Sequence, residues 1–309
     1  LSNSDMQTKT TAKPVKATDL HVGGPEDMLP GVPKRDPIVV ATNITRTFGG
    51  LKAVDVESLQ IPRNAITALI GPNGAGKTTL FNLLTGFDKP DTGDWALNGK
   101  SLKGVPAFKV ARMGQVRTFQ LTKALGMMTV MDNMLLGAQN QTGEGFFQAI
   151  IPSMWRKQED DITERALDLL ERFKLVKLKD DYAASLSGGQ RKLLEMARAL
   201  MCRPELVMLD EPMAGVNPAL TQSLLSHIID LKSEGMTVLF VEHDMQMVKH
   251  IADWVVVMAE GRVVAEGDPK TVMRNQAVID AYLGSNHGKD LGTDTDTVNT
   301  MKELLDDQR

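Results

Sequence analysis

One cysteine, Cys202, is all that 309 residues contain, so no disulfide framework holds the chain, and a reducing compartment suits it. Cys202 falls in the apolar pattern Leu193, Met196, Ala197, Leu200 and is expected as a small core residue, not a nucleophile. No run of about 20 apolar residues occurs, so no helix is expected to span a bilayer. A basic excess is missing as well. The formal net charge is −4, without the positive face that bulk nucleic-acid binding usually shows. The opening residues, LSNSDMQTKTTAKPVK, carry no apolar stretch of the kind a secretory signal uses. No internal repeat is visible. What is present is ordinary globular material, 42% hydrophobic and 24% charged, with room for one large domain or two lobes.

Against that background one stretch stands out, ITALIGPNGAGKTTLF from Ile66 to Phe81. Ile66, Ala68, Leu69 and Ile70 read as a buried strand, and Leu80, Phe81, Leu83 and Leu84 as a helix face. Between them lie Gly71, Pro72, Asn73, Gly74, Ala75, Gly76, Lys77, Thr78 and Thr79, with the spacing Gly-x4-Gly-Lys-Thr of a phosphate-binding loop. Glycines let successive N–H groups turn inward around phosphate oxygens, and the helix opening near Lys77 aims its positive end at them. Lys77 is placed to bridge β- and γ-phosphates, and the Thr78 hydroxyl to hold Mg²⁺. The chain is expected to bind a nucleoside triphosphate.

Around this loop the pattern divides into segments. Residues 1–36 are rich in Thr, Lys, Pro and Gly with balanced charge, and are expected to form a disordered tail. Order is expected from Pro37, with strand-like runs at 38–41, 53–56, 59–61 and 95–99. Residues of about 121–188 change character. Met127, Met128, Met131 and Met134 precede Phe146 and Phe147, and then Ile162, Ala166, Leu169, Leu170 and Phe173 follow at helical spacing. This block reads as a helical insert in an α/β core. Beyond it, helices near 189–202, 218–234 and 244–252 alternate with strands at 206–209, 237–241, 254–258 and 263–265, which argues a mostly parallel sheet. Residues 285–309 hold six acidic groups among Gly, Thr and Asp and are expected as an acidic tail.

Two further constellations carry chemistry. The strand at 206–209 delivers Asp210 and Glu211 at its carboxyl end, where ligands sit in open α/β sheets. Asp210 is placed for Mg²⁺ and Glu211 to polarise an attacking water as general base. Ser187, Gly188, Gly189 and Gln190 open a second helix and so make a second anion-binding terminus. Two such termini with a single lysine-bearing loop suggest that two chains complete each other's sites.

GPNGAGKTT, Gln120, LSGGQ, VMLDEP and His243, in this order, resemble the nucleotide-binding domain of an ATP-binding cassette (ABC) protein over about residues 37–284. The resemblance implies a P-loop NTPase core, a mixed sheet with helices and an antiparallel β subdomain, carrying an inserted all-α helical subdomain. It implies ATP and Mg²⁺ as ligands. It gives Phe48 the place of the aromatic that stacks on adenine. Gln120 takes that of the Q-loop glutamine reaching Mg²⁺ and the attacking water, and His243 that of the switch histidine on the γ-phosphate. Ser187 and Gly189 would contact ATP held by the opposite subunit. Asn217 stands where the common pattern has Asp.

The runs at 48–54, 116–120, 214–218 and 241–245, with the ending at 275–284, are similar to ATPases of branched-chain amino-acid importers. Urea importers and lipopolysaccharide exporters share much of the pattern. The resemblance implies a peripheral subunit on the cytoplasmic face of the cell membrane. Its implied partners are a second ATPase subunit, integral permease subunits and, indirectly, a solute-binding protein, with no nucleic acid. Soluble ABC ATPases that work in assembly or on nucleic acid are the other class. The coiled coil or second cassette of the nucleic-acid relatives is missing from this sequence.

Overall fold

The computed structural model describes residues 17–21, 29–118, 125–139 and 152–284. After a single helical turn, α1 (Ala17–Leu20), the chain enters a long hairpin of β1 (Pro37–Phe48) and β2 (Leu51–Pro62). Strand β3 (Ile66–Ile70) leads through the glycine loop into α2 (Lys77–Leu84). Then come β4 (Thr92–Leu97), β5 (Lys100–Ser101), α3 (Ala107–Arg112) and β6 (Gln115–Arg117). Between β6 and residue 186 every described element is helical: α4 (Val130–Leu135), α5 (Pro152–Arg172) and two 3-10 turns. The alternating part holds α6 (Gly188–Leu200), β7 (Leu206–Asp210), α7 (Pro218–Ser233), β8 (Thr237–Val241), α8 (Met245–Ile251) and β9 (Trp254–Ala259). Strand β10 (Arg262–Gly267) and helices α9 (Pro269–Val272) and α10 (Gln276–Gly284) follow.

Two sheets organise these elements. The first is antiparallel in the order β2-β1-β4-β5, and the second runs β10-β9-β3-β8-β7-β6. In the second, β9, β3, β8, β7 and β6 are parallel and only β10 is reversed. Strands β3 and β8 are buried at every position, as uninterrupted apolar runs in a covered parallel sheet should be. Their side chains divide by alternation. Ile66, Ala68, Ile70, Val238 and Phe240 face one core cluster with α5, α6 and α7, while Leu69, Leu239 and Val241 face another with the antiparallel sheet. Helix α2 lies in that second cluster through Leu80, Phe81, Leu83 and Leu84, between the two sheets. The phosphate-loop helix is thus clamped on both sides.

Elements with a readable period sit where the sequence places them. In α5, Ala166, Leu169 and Leu170 form one buried face, which Phe173 continues just past the helix end. Strand β6 carries no readable sequence signal, because three residues show no period. Met134 is core, whereas Met127 is exposed. Phe146 and Phe147 lie outside the described residues.

The expected structureless tail is corrected for residues 17–21 and 29–36, which pack onto the core. Leu20, His21, Val32 and Lys34 are buried. Lys34 Nζ pairs with Glu266 Oε2 at 2.8 Å with neither side chain exposed, and it stands 4.5 Å from the centroid of the Trp254 ring. Glu266 also accepts from Trp254 Nε1 at 3.0 Å and from the Val32 N–H at 2.8 Å. Burial lowers the Lys34 pKa and the Glu266 charge opposes it. Composition hid this strap, because its one decisive contact joins residues 232 positions apart.

Candidate functional site

The glycine loop is built by close approach. Gly71 has φ 150°, and a Cβ there would stand 2.1 Å from the Met258 carbonyl oxygen. Gly76 has φ 95°, and its Cβ would stand 2.2 Å from the Ala53 carbonyl oxygen. No other residue fits either place. Gly76 caps α2 without any side-chain hydrogen bond, so no capping side chain takes the first N–H groups of that helix. That is the arrangement an anion needs. Lys77 Nζ donates to the carbonyl oxygens of Gly71 and Pro72 at 2.6 and 2.9 Å, which holds its ammonium over the loop. A cleft of about 590 Å³ opens here. Asn73 to Thr79, Leu51 to Ala53, Glu260, Gly261 and Glu211 line it.

Asp210 and Glu211 stand at the carboxyl end of β7, as expected, but with different surroundings. The Asp210 carboxylate pairs with the Arg117 guanidinium at 2.5 Å, and Arg117 also donates to Asn82 Oδ1 on α2. Glu211 has φ 46°, a left-handed conformation uncommon for a residue with a side chain. Its N–H donates to the Val241 carbonyl at 3.1 Å and its carbonyl accepts from Lys192 Nζ at 3.0 Å. Beside it Glu242 is only 2% exposed and accepts from the Met213 N–H at 3.0 Å and the His243 N–H at 3.4 Å. Burial pushes the Glu242 carboxyl up, against the opposing effects of the Met213 N–H and His243. His243 is half exposed, with Nδ1 3.8 Å from Glu242.

Ser187 is exposed and caps α6 in a reciprocal box. Its Oγ accepts from the Gln190 N–H at 3.3 Å, and Gln190 Oε1 accepts from the Ser187 N–H at 2.9 Å. Gly188 has open space around it. Gly189 is buried, and a Cβ there would meet Leu220 at 1.8 Å. Asn217 caps α7 by accepting from the Leu220 N–H at 2.9 Å, a task Asp would perform equally well.

Phe48 ends β1 about half exposed, with the Arg46 guanidinium 4.6 Å from its ring centroid, and does not line the cleft. Gln120 lies outside the described residues. His21, placed in a tail by its sequence context, is buried with its ring 5.4 Å from that of Trp254. Cys202 is half buried, donates its thiol to the Gly137 carbonyl at 3.1 Å, and is pushed up by burial, which suits an inert thiol. Arg117, Lys192 and Glu242 carry no signal in the local sequence, which shows a charge but not the partner it buries against.

Among the described residues no cluster of three or more His, Cys, Asp or Glu could hold a metal by itself. Thr78 and Asp210 offer hard oxygen donors of the kind Mg²⁺ takes when phosphate completes its shell.

Comparison with known proteins gives these features a context. Residues 54–214 match the ABC transporter family, and residues 262–288 match the family described as branched-chain amino acid ATP-binding cassette transporter. A probable branched-chain amino acid transport ATP-binding protein of Archaeoglobus fulgidus is 41% identical over 248 residues, 80% of this chain and 96% of that protein. The high-affinity branched-chain amino acid transport ATP-binding protein of Pseudomonas aeruginosa is 41% identical over 250 residues, 80% of this chain and 98% of that protein. Among solved structures, a nucleotide-free cassette from an ABC transporter superposes with a TM-score of 0.70 at 37% identity, over 80% of this chain and 98% of that one. A cassette in its ADP conformation gives 0.70 at 38%, over 80% and 99%.

Proposed function

This chain belongs to the ATP-binding cassette transporter family as an ATP-hydrolysing subunit, and from that premise we propose that it powers import of branched-chain amino acids or a closely similar solute. The observation that carries the proposal is the match at 262–288, which lies outside the shared ATPase motifs and belongs to the branched-chain class. It favours that class over urea and lipopolysaccharide carriers.

ATP is the substrate. Its phosphates enter the loop of Gly71, Pro72, Asn73, Gly74, Ala75 and Gly76, with the α2 N-terminus and Lys77 supplying positive charge. Thr78 and Asp210 would hold Mg²⁺, which would supply positive charge beside the phosphates. Thr79 extends the cradle. Glu211 takes the proton of the attacking water as the bond from the γ-phosphorus to the bridging oxygen breaks, leaving ADP and phosphate. His243 and Gln120 orient that water and the γ-phosphate. Phe48, with one flank on Arg46, offers its exposed ring to the adenine.

Ser187, Gly188, Gly189 and Gln190 serve the nucleotide of a second ATPase subunit. The exposed capping box at Ser187 and the open space at Gly188 support this. Two subunits close around two ATP molecules and reopen when the γ-phosphate bridge is lost. Among the described residues no helix is long and apolar enough to cross a membrane. By likeness to its transport relatives, the subunit works through integral permeases on the cytoplasmic face, with a solute-binding protein upstream.

The test is reconstitution with the co-purifying permeases in vesicles, read by uptake of labelled leucine. Uptake that needs ATP and stops with Glu211→Gln is the expected result. ATP turnover without uptake of any branched-chain amino acid would sink the substrate assignment.

A further inference from the structure

Lys192 lies five residues beyond Ser187, in the second turn of α6. A lysine on a helix normally carries its ammonium into water, but here Nζ reaches across to the backbone carbonyl of Glu211 at 3.0 Å. That carbonyl belongs to a residue in the left-handed region, where a side chain is disfavoured and surrounding contacts must hold the conformation. Three contacts do so. The Val241 carbonyl takes the Glu211 N–H and ties it to β8, the Ala214 N–H donates to the Glu211 carbonyl at 3.2 Å, and Lys192 Nζ donates to the same carbonyl and ties it to α6. The next turn is held too, by the buried Glu242 on the Met213 N–H. Burial lowers the Lys192 pKa, while Glu242, Glu195 and Glu211 favour its charged form.

We infer that Lys192 is a positioning residue that sets the Glu211 backbone from α6. The pose of Ser187 on the partner's nucleotide is thereby relayed to the base in its own cleft. This rests on the assignment of Glu211 as general base.

The test is steady-state ATP hydrolysis by the full chain carrying Lys192→Met, which keeps the aliphatic stem but cannot donate, beside Lys192→Arg and Glu211→Gln. In Lys192→Met the kcat is expected to fall about tenfold with KM for ATP within about twofold, and Lys192→Arg to restore most of it. ATP-dependent dimers of the Glu211→Gln/Lys192→Met double variant, read by sedimentation, are expected to persist. Lys192→Ala is assayed in the same way if the methionine does not pack. A folded Lys192→Met chain with kcat within about twofold of wild type overturns the inference. So does a change confined to KM, an arginine that restores nothing, or a double variant that no longer dimerises. Wild-type turnover by Glu211→Gln would instead overturn the base assignment itself.

Discussion

Gly71 shows how a single hydrogen in place of a side chain sustains the site. With the Met258 carbonyl 2.1 Å from where a Cβ would lie, Gly71→Ala must push β9 away from the loop. It is expected to cost about 2–4 kcal/mol in urea unfolding and to abolish binding of a fluorescent ATP analogue. Glu242 offers a second residue-level prediction, through pH. Its raised pKa means that the folded chain holds that proton more tightly than the unfolded chain. Stability from this group is therefore greatest below the unfolded value of about 4.3 and declines as pH climbs through the folded one. Glu242→Gln removes the titration, so its urea midpoint should gain on wild type as pH rises above about 4.3. A gap that stays constant or narrows would contradict the sign. The motif residues from Gly71 to Thr79 and the Asp210–Glu211 pair were legible because their chemistry is local. Arg117, Lys192 and Glu242 were not, since each is defined by a partner that only the fold supplies.

Among elements, the long periodic ones were legible and the shortest were not. Strands β3, β7 and β8 announced themselves as apolar runs, and α5 by its spacing. The 29–36 strap has neither signal, only Lys34 and its neighbours in polar sequence. Its weight can be measured. Lys34→Met leaves Glu266 buried beside Trp254 without its counter-charge and should cost about 3–5 kcal/mol. Lys34→Met with Glu266→Gln should cost less than the two single changes together, in a double-mutant cycle by chemical denaturation. Strict additivity would mean the pair contributes nothing specific. At α6, Ser187→Ala removes a capping acceptor and should lower stability by about 1 kcal/mol. Its loss of ATP turnover should far exceed what that destabilisation explains, as the proposed role of the same hydroxyl on the partner's nucleotide requires.

The molecule as a whole divides into an antiparallel sheet, the clamped α2, a six-stranded sheet and a helical layer, and the cleft opens beside α2. That alternation of strands and helices gave the class from sequence, while the central place of β3 came only from the strand order. A monomer presents the loop and the Ser187 terminus as separate surfaces. Glu211→Gln with ATP and Mg²⁺ is therefore expected to sediment as a dimer, and the same chain with ADP as a monomer. Dimers in ADP alone would break the link between γ-phosphate and closure.

The place of β3 also has a consequence in time. Its neighbours β8 and β9 are both made late, and the Ile66 N–H is held by Asp253, 187 residues downstream. At a synthesis rate of about 5–20 residues per second, the strand feeding the nucleotide loop waits roughly 10–40 s for the chain that will flank it. Met258, against which Gly71 packs, arrives in the same late stretch. A nascent chain halted before β9 would have the complete phosphate-loop motif and no nucleotide site, so ATP is offered only to a cassette whose β9 has already been made.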